Sequence, residues 1–81
     1  MSPAARKSAL ATEDIFTVEI GTRHTAWVRG PAVMRMLDRL SVPKLYDHDA
    51  GAWSIPRKRV VDVTRDLNRR GRAVEVTEVD R

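Results

Sequence analysis

Residues 53–72, WSIPRKRVVDVTRDLNRRGR, switch periodicity part-way along, and that switch constrains the whole fold. Trp53-Ser54-Ile55 reads as a short strand, and Pro56 opens a helix. Along that helix Val60, Val63, Thr64 and Leu67 form one narrow apolar stripe, with Lys58, Asp62, Arg65 and Arg69 opposite. Gly71 is a suitable C-terminal stop. A helix with a single apolar stripe must lie on another layer, and a strand joined directly to it calls for a sheet-and-helix architecture. The same segment concentrates charge. From Arg57 to Arg72, seven basic residues (Arg57, Lys58, Arg59, Arg65, Arg69, Arg70, Arg72) stand against Asp62 and Asp66. The whole chain is only +4, so its other residues nearly cancel.

The rest of the chain supplies the sheet. Phe16, Val18 and Ile20 alternate with Thr17 and Glu19, the pattern of a half-buried strand over Ile15–Ile20. Gly21-Thr22-Arg23 makes a turn, and His24–Val28 returns as the second arm of a hairpin. Gly30-Pro31 breaks that strand, with Pro31 placed at the first position of a helix. Val33, Met34, Leu37 and Leu40 recur at helical spacing from Ala32 to Leu40. That helix should end near Ser41, because Pro43 disfavours helical geometry at Val42. Lys44–Asp47 and Trp53–Ile55 read as two short strands around the loop 48–52, and Ala73–Val79 closes as a strand. The expected order is β-β-α-β-β-α-β: an α+β domain with two helices on one face of an antiparallel or mixed sheet, with a crude likeness between its two hairpin-plus-helix units.

Eighty-one residues allow one small domain, which buries roughly 60–65% of its unfolded surface. The absence of cysteine excludes disulfides, thiolate zinc sites and cysteine nucleophiles, and fits a reducing compartment. No apolar run approaches the ~20 residues of a membrane helix. Residues 1–14, MSPAARKSALATED, lack the continuous apolar stretch of a secretory signal and read as a flexible tail ahead of a domain spanning 15–81. The composition describes a cytoplasmic basic protein, nucleoid-associated if it binds DNA. Twelve of its fifteen basic residues are arginine, a bias that a GC-rich genome also produces.

Arg57, Lys58 and Arg59 fall in the first turn of the second helix, where the helix dipole makes cations unfavourable. An anion at the helix start would reverse that balance, because free N–H groups and basic side chains could converge on one phosphate. Arg69, Arg70 and Arg72 complement the other end of the dipole. Asp62 is spaced to pair with Lys58 and Asp66 with Arg70, each pair worth ~0.2–0.5 kcal/mol. Arg57, Arg59, Arg65 and Arg69 have no obvious local partner. The pattern points to a polyanion, and DNA ahead of RNA.

Tyr46-Asp47, a polar turn, Trp53-Ser54-Ile55-Pro56, a helix and a Val-rich strand together resemble the HARP-type accessory domain of annealing helicases. The resemblance spans residues 33–79. It implies a compact α+β module that helps to engage DNA without catalysis of its own. The ATPase motor of those proteins has no counterpart here, so helicase activity is not carried over. Trp53-x-Ile55-Pro56-Arg57 before an amphipathic helix also looks like the end of excisionase-type winged-helix proteins, although the upstream helix-turn-helix is missing. Tyr46 and Trp53 could stack on exposed bases. In a chain with only four aromatic residues, the competing use is packing.

Chemistry of other kinds finds little support. Asp47-His48-Asp49 is a ligand-like cluster, but a structural zinc site needs four N or S ligands and the chain offers only His24 and His48. Ser41 and Ser54 have no His-Asp companions at recognisable spacing. The four glycines are scattered, so no phosphate loop is present. The expectation is a non-enzymatic protein without cofactor or metal, acting as an accessory or regulatory nucleic-acid binder. The alternative is a protein-interaction module, a regulator or inhibitor encoded by a phage or mobile element. It would add an edge strand, Ile15–Ile20 or Arg72–Val79, to a larger host protein. The same edge could join two copies of the chain.

Overall fold

The computed structural model describes residues 15–81, and the expected tail lies outside them. In chain order come β1 (Ile15–Ile20), β2 (Thr25–Arg29), α1 (Val33–Arg39), β3 (Leu45–Asp47) and β4 (Ala52–Pro56). A 3-10 turn (Arg57–Arg59), α2 (Val60–Arg69) and β5 (Ala73–Glu78) complete the domain. The expected α+β order is the observed one. The strands form one mixed sheet in the order β3-β4-β2-β1-β5, with β1 and β5 parallel and all other neighbours antiparallel. The two hairpin-plus-helix units sit side by side, β2 against β4, and β5 extends the first unit alone. β1 is therefore interior. Of the two strands expected as possible edges, only β5 is one, because the return from α2 lays it along the outer side of β1.

Strand alternation builds the core. Phe16, Val18, Ala26, Val28 and Ile55 point to one face, with Val18 opposite Val28 and Ala26 opposite Ile55. Val33, Met36 and Leu37 of α1 and Val63 and Leu67 of α2 close over them. Each fully buried side chain of this size contributes roughly 1.5–3 kcal/mol of apolar burial. Among the described residues no helix is long and apolar enough to cross a membrane.

The two helices end alike. Val42 N–H donates to Leu37 O and Ser41 N–H to Asp38 O, while Arg72 N–H donates to Leu67 O and Gly71 N–H to Asn68 O. These are paired Schellman closures, with Ser41 (φ 57°) and Gly71 (φ 72°) in the left-handed position. The start of α1 differs from expectation. Ala32 adopts φ 55° and Pro31 lies in a turn, so the helix begins at Val33 rather than at Pro31.

The other face of the sheet has its own small packed centre. Trp27 is buried there, its indole N–H donating to Asp47 Oδ2 at 2.9 Å and the Arg81 guanidinium 5.0 Å from its ring. Residues 79–81 run against the end of β1: Val79 N–H donates to Ile20 O, and Thr22 N–H to Arg81 O. Gly21 makes that approach possible, since a Cβ there would lie 2.5 Å from Arg81 O and 2.6 Å from Thr25 O.

Candidate nucleic-acid interface

The basic segment divides into parts with different surroundings. Arg57, Lys58 and Arg59 do not occupy the first turn of an α-helix; they form a separate 3-10 turn that leads into α2. Arg57 N–H is already used, donating to His24 O at 2.7 Å. Arg59 is committed as well. Its Nε donates to Asp62 Oδ2 at 2.6 Å, and its Nη atoms donate to Ser41 O and Leu40 O at 3.3 and 3.2 Å. Those carbonyls belong to the C-terminal end of α1, where a cation complements the dipole. The expectation that Arg59 lacks a partner is therefore overturned, as is the pairing of Asp62 with Lys58. The helix register brings Asp62 to Arg59 at i,i+3, and the neighbouring helix supplies the rest.

Asp66 is likewise not a surface acid. It is only 3% exposed, and Arg39 at the end of α1 binds it with both Nη atoms, at 3.1 and 2.8 Å. Arg70 approaches the same carboxylate at 3.5 Å, as expected from their spacing; Arg69, expected to lack a local partner, also reaches it, at 3.9 Å, because i,i+3 places it on the same side of the helix. The Arg39 hydrogen bonds hold the Asp66 carboxyl below its ordinary value. Burial opposes this, and the charges of Arg39, Arg70 and Arg69 reinforce it. A charged residue on a helix gives no sign in one dimension that a second helix will close over it.

What remains is the surplus. Residues 31–40 and 57–72 carry nine basic side chains and three acidic ones, and each acid is engaged: Asp38 by Lys44, Asp62 by Arg59, Asp66 by Arg39. Arg57, Lys58, Arg65 and Arg72 are exposed and form no ion pair with any described residue. They lie before, on and after α2, whose ten residues span about 15 Å. Sequence reasoning missed a second contribution, from α1. Arg35 and Arg39 join Arg70 and Arg72 around a cleft of about 450 Å³ between the helices. Their i,i+4 spacing on α1 was the available signal.

The two aromatic candidates lie at the β3–β4 hairpin, away from this surplus in the sheet order. Trp53 packs against the core and meets Tyr46 edge-on, with ring centroids 5.1 Å apart. Tyr46 is 39% exposed. At the end of β3, Asp47 accepts the backbone N–H groups of Asp49 and Ala50 as well as the Trp27 indole. The Ala50 N–H and the indole are the main reasons why its carboxyl lies below the usual range, against the opposing pull of desolvation. The Asp47-His48-Asp49 cluster thus builds a turn and anchors Trp27.

No protein-family model matches this chain, and no curated protein or solved structure matches it.

Proposed function

We propose that this protein binds nucleic acid, DNA ahead of RNA, through the basic layer formed by its two helices, in a non-catalytic accessory or regulatory role. One observation carries the reading. Every carboxylate of the helix layer is held by a structural partner, while Arg57, Lys58, Arg65 and Arg72 remain exposed with none among the described residues. Cations left over after the helix layer has used its own three acids have no stabilising purpose on their own, and a phosphate backbone gives them one. Arg69 and Arg70 extend the track, their pull on Asp66 being long and shared. Arg59 contributes by holding the turn in place. Backbone contacts of this kind position a strand or duplex without specifying sequence. The Tyr46-Asp47 and Trp53 pattern, with its resemblance to HARP-type modules, supports the same reading.

The test is fluorescence anisotropy with single-stranded DNA, duplex DNA and RNA across a salt series. If four cations each neutralise one phosphate, log K falls against log salt with a slope of about −3 to −4. The combined change Arg57→Ala, Lys58→Ala, Arg65→Ala should weaken binding and flatten that slope. Affinity that ignores both the substitutions and the salt rules the reading out.

A further inference from the structure

We propose that two copies of this chain join edge to edge through β5, antiparallel about Val76, to make one ten-stranded sheet. The two edges of the sheet are unequal. β3 offers three residues, too few for a stable ladder; β5 offers six, with no neighbour on its outer side among the described residues. Exposed edges are normally blunted by proline, a bulge or charged side chains, lysine above all; Ala73-Val74-Glu75-Val76-Thr77-Glu78 has no proline or lysine, carries charge only at Glu75 and Glu78, and runs in unbroken register with β1. Val79 turns its N–H inward to Ile20 O. Alternation along the strand therefore points the backbone groups of Val74, Val76 and Glu78 outward, ready to pair.

Exposed apolar side chains flank this edge. Val76 is 49% exposed and Val61 on α2 is 52% exposed, at the mouth of a groove of about 890 Å³ that runs between α2 and β5 over Ile20 and Val74. The charge pattern selects the occupant and the register. With Val76 on the two-fold axis, Val76 faces itself, Glu75 faces the partner's Thr77, Val74 faces the partner's Glu78, and Arg72 faces the partner's Asp80. Shifting the axis to Glu75 sets two carboxylates directly opposite each other, which is destabilising. Shifting it to Thr77 loses the pairing of Arg72 with Asp80 and shortens the ladder to residues 76–78. Of these registers, the one about Val76 keeps like charges apart and retains the longer ladder for a second copy.

Antiparallel pairing in one sheet has its two-fold axis perpendicular to the sheet, so both helix layers fall on the same side. The basic tracks become one surface. This inference stands apart from the nucleic-acid reading, and salt separates the two. Like-charged layers repel, so dimerisation strengthens with salt, whereas binding to a polyanion weakens.

The chain has no cysteine, which permits a direct test. Directly opposed residues of a hydrogen-bonded antiparallel pair have Cα atoms about 5.5 Å apart, within the disulfide range. Val76→Cys should form an interchain disulfide on mild oxidation; Glu75→Cys and Thr77→Cys, each opposite the other position, should not. Sedimentation of the unmodified chain should show a dimer, and Val76→Lys a monomer with an unchanged far-UV circular dichroism spectrum. A chain that sediments as a monomer up to its solubility limit overturns the proposal. So does cross-linking that favours Glu75→Cys or is equal at all three positions.

Discussion

The two faces of the sheet treat charge in opposite ways. On the open face Glu19 is shared by Arg29 at 3.2 Å and Arg81 at 2.8 Å, and Asp47 is saturated by an indole and two backbone N–H groups. Burial raises the pKa of Glu19, but hydrogen bonds and charges from Arg29 and Arg81 outweigh it and leave the group lowered. The helix face has equally well-held acids, yet its cations outnumber them nine to three. On the open face Glu19, Arg29, Asp47 and Arg81 use their charge in closing the structure around Trp27. On the helix face the structural demand is met first and a remainder is left, and that remainder is what a partner can use.

The largest effect should come from the open face. Trp27→Ala removes its buried centre and should cost about 3–5 kcal/mol in denaturant unfolding. Trp27→Phe keeps most of the apolar bulk but strands the Asp47 carboxylate without its indole donor, and should cost less. A loss under about 1 kcal/mol for the alanine variant would mean that this face is not a second packed layer. Neither change touches the basic surplus, so nucleic-acid affinity of the folded fraction should be unaltered.

Next comes the Asp66–Arg39 clamp between the helices. Asp66→Asn keeps the size but removes the charge that Arg39 binds, and should cost about 1–3 kcal/mol, below a fully buried pair because Arg39 is half open to water. The clamp also predicts acid sensitivity. Asp66, Asp47 and Glu19 all have folded-state values below their ordinary ones. The unfolded chain then binds more protons in the acid range, so stability present above about pH 4 is lost as pH falls through the lowered values. Denaturation midpoints measured down the pH scale should drop in that window for the native chain and more shallowly for Asp66→Asn. Equal slopes would remove Asp66 from the account.

How much of this was legible in the sequence depended on whether the cause was local. The strands and helices were, because period-2 alternation in Phe16-Thr17-Val18-Glu19-Ile20 and the Val60, Val63, Leu67 stripe are written along the chain. So was Gly71, a residue suited to a left-handed cap. Ser41 was not recognised in the same role, since serine has no special liking for that conformation. The fates of Arg59 and Asp66 were illegible for a different reason: their partners, Leu40, Ser41 and Arg39, lie on the other helix. What buries Trp27 was equally illegible: strand parity places it on the face opposite Val28, where Asp47 and Arg81 reach it from elsewhere in the chain. The surplus itself was visible as a count. Which members of it are free became visible only once the acids had been assigned.

That assignment can be tested within the Arg57–Arg59 turn. Arg59→Ala breaks an ion pair and uncovers two carbonyls at the end of α1, and should cost about 1–2 kcal/mol. Arg57→Ala and Lys58→Ala touch no acid and should each stay within about 0.5 kcal/mol of the native chain. The order should invert for nucleic acid, with Arg57→Ala and Lys58→Ala losing more affinity per substitution than Arg59→Ala once fully folded samples are compared. If all three behave alike in both assays, the division between structural and surplus cations fails.

The smallest effect concerns the two helix ends, which share a closure but not a residue. Gly71 takes its left-handed backbone at no steric cost, whereas Ser41 at φ 57° pays the penalty of a Cβ close to the following carbonyl, about 1–2 kcal/mol. Ser41→Gly removes that penalty but adds freedom to the unfolded chain, worth about 0.4–1 kcal/mol. The net expectation is a stabilisation of about 0.5–1 kcal/mol in chemical denaturation. The Ser41 carbonyl that accepts Arg59 belongs to the backbone and survives the change, and no charge moves. Nucleic-acid affinity and its salt slope should therefore stay where they were, so that stability of the helix layer rises while its surplus charge is untouched. A coupled change in binding would show that the end of α1 positions the basic track as well as closing the helix.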